Sequence, residues 1–75
     1  MTLYHFDVSQ NGGPWEEDDD GTKLSSPDEA RREAVALAHM LAKDGRATDL
    51  TIRVRNGNPT PLLTVRVSTS VVMRP

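Results

Sequence analysis

The fold is decided by residues 25–41, which read SSPDEARREAVALAHML. Ser26 can cap a helix, Pro27 suits the first helical position, and Glu29 completes a capping box three residues after the cap. Small and apolar side chains then recur at the spacing of one helix face, at Ala30, Ala34, Leu37, Ala38 and Leu41. The pattern predicts an amphipathic helix that begins at residue 27 and ends near residue 44.

Three stretches outside this helix alternate between apolar and polar residues, a period of two that is typical of half-buried strands. The first covers residues 3–8, and the other two, 50–55 and 62–67, flank the turn sequence NGNPTP. Residues 9–24 predict a turn and an acidic loop, in which Trp15 starts a short second strand. We therefore predict a single α+β domain over residues 1–75, with one helix packed on a small antiparallel sheet in the order β-(β)-α-β-β.

The alternation also predicts which side chains face the helix. We expect the covered face to carry Tyr4, Phe6, Val8, Leu50, Ile52, Val54, Leu63, Val65 and Val67. The opposite face should stay open, with Leu3, His5, Asp7, Thr51, Arg53, Arg55, Leu62, Thr64 and Arg66. Trp15, the only tryptophan, is expected to anchor the core where the first hairpin closes rather than to form an exposed contact.

Length and composition restrict the possible classes of protein. The 75-residue chain has no cysteine, which excludes disulfides, thiolate chemistry and cysteine-ligated zinc and fits a reducing compartment. Its start lacks the features of a secretory signal, and no apolar run approaches the roughly 20 residues that cross a bilayer, so we expect a cytoplasmic protein without membrane contact. A core this small makes self-association a ready way to bury more surface.

Charge is divided unevenly along the chain. Residues 1–26 carry six acids and one base, whereas residues 46–75 carry five arginines and one aspartate. Two interpretations are open: the acidic loop offsets the basic hairpin, or the two regions form a dipolar surface that selects a partner.

The metal-ligating candidates are weak. His5 and Asp7 point the same way from one strand, and Asp18 and Asp20 lie in the run EEDDDG. Consecutive acids without a closing glutamate do not match a calcium loop, so a solvated loop is predicted and a divalent-metal site is the alternative. No catalytic constellation is present, and we expect no enzyme activity and no cofactor.

Two surfaces are candidates for binding. Arg53, Arg55 and Arg66 should share the open sheet face as a cationic patch, which suggests nucleic acid, although no aromatic residue is assigned to that face and the net charge is −2. The last strand's alternation continues to Val71 and Met73, so residues 69–75 form a tail that either frays or pairs with another chain.

The segments YHFDV (4–8), DGTKL (20–24), DEARREA (28–34) and LTV (63–65) together resemble a family of short, stand-alone bacterial proteins of unknown function, frequent in alphaproteobacteria. The resemblance implies a small α+β domain in a bacterial, cytoplasmic setting and assigns no catalytic residue. The heavy acidic loop and the VVM tail (71–73) depart from that family. The leading hypothesis is a small interaction module, either homodimeric or bound to a protein partner, through the open sheet face or the last strand's edge.

Overall fold

One helix and an antiparallel sheet make up the structure, as predicted. The computed structural model describes residues 1–43 and 49–68. The helix is α1 (Pro27–Lys43). The strands are β1 (Thr2–Gln10), β2 (Trp15–Glu16), β3 (Thr22–Leu24), β4 (Asp49–Arg55) and β5 (Leu63–Ser68). The predicted α+β class is confirmed, while the predictions for Val71 and Met73 lie outside the described residues.

The start of α1 follows the predicted capping pattern with one difference. The Glu29 N–H donates to Ser26 Oγ at 3.2 Å, and the Ala30 N–H donates to the Ser26 carbonyl at 3.1 Å. The Glu29 carboxylate, however, accepts from the Ser25 hydroxyl rather than from the backbone of the cap. The Ser26 side chain therefore satisfies one of the N–H groups that the first helical turn leaves without a helical partner, and the Ser26 carbonyl accepts the first hydrogen bond of the helix. Lys43, the last helical residue described, suits the negative end of the helix dipole.

The sheet is ordered β2-β1-β4-β5, and all its neighbours are antiparallel. The third strand, β3, pairs with the start of β1, where Thr2 lies opposite Leu24. The sequence pattern does not predict β3, because three residues are too few to show an alternation. One edge of β1 thus carries two short strands, with β2 near its end and β3 near its start.

The core lies between α1 and the two strands β4 and β5. The three apolar residues of β4 are at most 1% exposed, and each contributes about 1.5–3 kcal/mol on burial. Three alanines of the helix, all fully buried, line the same core and leave room for the larger strand residues. The predicted facing is confirmed for Leu50, Ile52, Val54, Ala30, Ala34 and Ala38. The apolar residues of β5 are only half-buried, because β5 forms an edge of the sheet.

The connection from β4 to β5 uses the predicted turn residues. The Leu62 N–H donates to the Val54 carbonyl at 2.8 Å, and the Asn58 N–H donates to Asn56 Oδ1 at 3.3 Å. Gly57 has a φ of 96°, a left-handed conformation that glycine adopts without steric cost. These contacts set the hairpin that places β5 beside β4.

Candidate functional site

The sheet face opposite α1 contains a buried carboxylate. Asp7 is 0% exposed, although it lies on the face that the sequence predicts to be open. The register places Asp7 opposite Arg53 and places His5 opposite Arg55, so both guanidinium groups reach the carboxylate from the neighbouring strand. Arg53 Nε donates to Asp7 Oδ2 at 2.9 Å, and Arg55 Nη2 donates to Asp7 Oδ1 at 2.9 Å. The prediction that Asp7 is open is wrong because these side chains and the acidic loop cover it.

Four hydrogen bonds hold this carboxylate in its ionised form. Arg55 Nε and the Asp18 N–H complete the set begun by the two arginine contacts above. Burial alone would raise the pKa of Asp7, but hydrogen bonds from Arg55, Asp18 and Arg53 lower it far below its usual range. A carboxylate offers about four lone-pair sites, and all four are used here. Asp7 therefore acts as an ionic centre of the face rather than as a metal ligand.

Asp18 fills the gap between β2 and β3 along the edge of β1. Its Oδ2 accepts the Phe6 N–H at 3.1 Å, in place of a strand carbonyl, and its Oδ1 accepts the Gly21 N–H at 3.1 Å. The Asp18 carbonyl accepts from His5 Nδ1 at 2.7 Å, and since a carbonyl only accepts, that nitrogen carries the proton. Although burial opposes the effect, the Gly21 and Phe6 hydrogen bonds lower the pKa of Asp18.

The four predicted metal ligands are thus only partly assembled. His5 donates to the Asp18 carbonyl, and Asp7 accepts from the Asp18 N–H and from two arginines. Asp20 is exposed. Within residues 1–43 and 49–68, no group of three or more metal-ligating side chains is placed to hold an ion. The acidic loop instead covers Asp7 and forms hydrogen bonds with β1.

Trp15 lies on this same face and contacts an arginine. It pairs with Ser9 in the register of β2, and the Arg53 guanidinium carbon lies 4.3 Å from the centre of a Trp15 ring. The indole is 39% exposed, so the prediction of a core anchor is wrong. The prediction failed because two residues of strand do not reveal which side faces the helix. An aromatic residue therefore accompanies the arginines, contrary to the sequence-based assignment.

The three arginines of the predicted patch do share one face, as the register shows for Arg53 opposite Thr64 and Arg66 opposite Thr51. Each one nevertheless contacts a carboxylate. Arg66 binds Asp49 through Nε at 3.1 Å and Nη2 at 2.8 Å, and these hydrogen bonds lower the pKa of Asp49. The patch is therefore a set of ion pairs rather than a free cationic surface.

The second candidate surface is the outer edge of β5. In the described part of the chain, β5 pairs with β4 alone. A cleft of about 590 Å³ lies between this edge and the end of α1, lined by His39, Met40, Ala42, Lys43 and Val67. Met40 is 63% exposed. At this edge, backbone groups without a partner among the described residues lie beside partly exposed apolar side chains.

Comparison with protein families matches residues 3–68 to a domain of unknown function, DUF6894. The chain belongs to the DUF6894 family. The match extends from β1 to β5, so it includes the sheet face that carries Asp7 and the arginines and also the outer edge of β5. The family description states neither a function nor a source, so the bacterial setting stays a prediction. Comparisons with curated proteins and with solved structures found no match. In the described ranges, no helix combines the length and apolar character that crossing a membrane requires.

Proposed function

We propose that this DUF6894 chain is a small interaction module that pairs with a second copy of itself along β5. The observation that carries the proposal is the open edge of a six-residue strand, which among the described residues pairs on one side only. Such an edge presents alternating N–H and C=O groups that form a ready template for another strand.

The two edges of the sheet differ in how they are protected. Proline, lysine, bulges and short strands are the usual means of keeping an edge from pairing. The β5 sequence LTVRVS contains neither proline nor lysine, and its one charged residue, Arg66, is paired with Asp49. The other edge is divided into strands of two and three residues, with Asp18 bonded between them. This difference supports pairing at β5.

Pairing would also bury apolar surface. Leu63, Val65 and Val67 face the helix but are only half-buried at the edge. An antiparallel partner strand with its own helix on the same side would continue the apolar layer over these residues. The cleft beside Val67 and Met40 would then lie at the junction of the two copies. The gain in burial favours a second copy over an unrelated strand, because the second copy presents the same apolar alternation.

Light scattering coupled to size exclusion tests the proposal on the full chain. A two-fold axis through Val65 places Thr64 opposite Arg66 of the second copy. Thr64→Lys then sets like charges against each other at two equivalent places, which costs about 1 kcal/mol and weakens the dimer roughly fivefold. Thr64→Glu, the matched control, sets opposite charges together and should not weaken it. A wild-type chain that stays monomeric throughout the micromolar range contradicts the proposal.

The nucleic-acid alternative has less support, because Arg53, Arg55 and Arg66 each contact a carboxylate. A gel shift at low salt tests it, since retardation of RNA or DNA at tens of micromolar protein would restore that alternative. The predicted lack of enzyme activity and the cytoplasmic location stay predictions.

A further inference from the structure

A groove on the helix side of the sheet lies toward β1 and β2, and it shares Met40 with the cleft at the β5 edge. It has a volume of about 590 Å³ and lies between α1 and the β1–β2 end of the sheet. This volume falls in the range of about 300–1,000 Å³ that is typical of ligand pockets. Its floor is apolar and its rim is acidic, and the two properties have different structural origins.

The floor is apolar because α1 does not cover the whole sheet. The helix packs on β4 and β5 and touches β3, which leaves the β1–β2 end of the same sheet face open. Phe6 and Val8 of β1 face the helix side but are only half-buried. Leu37 and Met40 extend the apolar surface along the helix flank. The groove is therefore a part of the core face that residues 1–43 and 49–68 leave uncovered.

The rim carries four carboxylates, from Glu16, Glu17, Asp18 and Glu33. Glu16 stands opposite Val8 in the register and so rises on the helix side. Among the described residues, the side chains of Glu16 and Glu33 make no ion pair or hydrogen bond, and the groove lining includes no lysine or arginine. The carboxylates of Glu16 and Glu33 are thus left without a balancing cation in the part of the chain that the structure describes. Glu17 Oε1, by contrast, lies 4.0 Å from Arg53 Nη2, and the Asp18 carboxylate accepts from the Phe6 and Gly21 N–H groups.

We infer that this groove binds a basic segment of a partner protein, in which apolar side chains alternate with lysine or arginine. The apolar side chains would rest on Phe6, Val8 and Leu37, and the cationic groups would reach the carboxylates of Glu16 and Glu33. Like charges near an interface exclude wrong partners and opposite charges select the right one. Phe6, Val8, Glu33 and Leu37 line the groove but not the cleft beside β5, so this inference does not depend on the proposed function.

A peptide is favoured over a bare cation, because a metal ion would gain nothing from the apolar floor. Strand addition is not the expected mode here, since β2 has two residues and offers little edge. Side-chain insertion into the groove is therefore the basis of recognition.

Nuclear magnetic resonance titration of the full ¹⁵N-labelled chain tests the inference. The probe is a synthetic peptide of four lysines and two leucines, with one control in which serine replaces leucine and another in which glutamate replaces lysine. We expect the largest amide shifts at Phe6, Val8, Glu33 and Leu37. Because two leucines leave water on binding, the serine peptide should bind at least about tenfold more weakly. The glutamate peptide should not bind.

Two charge reversals distinguish the groove from general electrostatic attraction. Glu33→Lys should weaken binding of the leucine–lysine peptide by about tenfold. Asp20→Lys changes the net charge equally at an exposed site that does not line the groove, and it should weaken binding less than about twofold.

Equal effects of the two reversals, equal binding of the serine peptide, or no groove shifts with the leucine–lysine peptide would each overturn the inference. Groove shifts that appear on concentrating the chain alone would assign the groove to a second copy and would also overturn it.

Discussion

Replacing Asp7 with asparagine tests whether this carboxylate is the ionic centre of the helix-free sheet face. The substitution keeps the size of the side chain but removes its charge. Asparagine retains one carbonyl oxygen and directs an amide NH₂ toward the guanidinium groups of Arg53 and Arg55, which have no acceptor to offer it. Of the four hydrogen bonds to Asp7, those on one oxygen are lost and the rest lose their charge assistance.

The expected cost follows from the burial of each partner. Breaking a buried ion pair by removing one member costs about 3–5 kcal/mol. The side chains of Arg53 and Arg55 are 22% and 31% exposed, so water partly solvates both guanidinium groups when the carboxylate is lost. We therefore expect Asp7→Asn to lower the free energy of unfolding by about 2–4 kcal/mol. A chain of this length has about 4–11 kcal/mol in total, so the loss is a large fraction.

Urea denaturation followed by circular dichroism at neutral pH measures this loss. With a slope near 1 kcal/mol per molar urea, the midpoint should fall by about 2–4 M. Asp20→Asn, an exposed acid of the same loop, is the matched control and should stay within about 0.5 kcal/mol of the wild type. A loss below about 1 kcal/mol for Asp7→Asn would refute the role assigned to this carboxylate.

The same substitution should change how the free energy of unfolding depends on pH. The pKa of Asp7 is lower in the folded chain than in the unfolded chain, so its stabilisation is complete above the unfolded value of about 4. It declines as the pH falls toward the folded value. The wild type should therefore lose stability between about pH 5 and pH 2, and Asp7→Asn should lose less over that window because asparagine does not titrate. Equal slopes for the two proteins would show that other acids cause the loss.

Three further measurements test local features. Gly21 has a φ of 76°, and an added Cβ would lie 2.9 Å from the Leu3 side chain, so Gly21→Ala should cost about 1–3 kcal/mol in thermal unfolding. Gly12→Ala has similar strain but nothing within 4 Å, so a cost as large as that of Gly21→Ala would contradict the role of the contact. Ser26→Ala should cost about 1 kcal/mol in urea denaturation through loss of the helix cap, and no change would argue against the cap. Trp15 should be quenched by acrylamide to an extent between that of buried and fully exposed indoles, and complete protection would place it in the core.

The helix and the β4–β5 hairpin were predictable because each carries a long, regular signal. Five small or apolar residues at helical spacing and two alternating strands determine which faces meet, and the structure places Leu50, Ile52 and Val54 beneath Ala30, Ala34 and Ala38 as expected. Hydrophobic burial is the main stabilisation of these elements, and the spacing of the buried residues can be seen in the sequence.

The helix-free face was only partly predictable. The arginines were assigned to one side correctly, but their pairing with Asp7 depends on β1 lying next to β4, which residue spacing does not reveal. The position of Trp15 and the existence of β3 depend on two- and three-residue pairings that leave no periodic signal. The run of acids predicted a solvated loop because Asp18 bonds to His5, Phe6 and Asp7, which lie 11 to 13 residues away in the sequence.

The Asp18 side chain that accepts from the Phe6 N–H has a consequence for the size of any assembly. By occupying β1 between its two short neighbours, it leaves the described part of the sheet with a single end that is able to grow. If two chains join at that end, as proposed, neither has another among its described residues, so the assembly would close at a pair and would not extend into a filament.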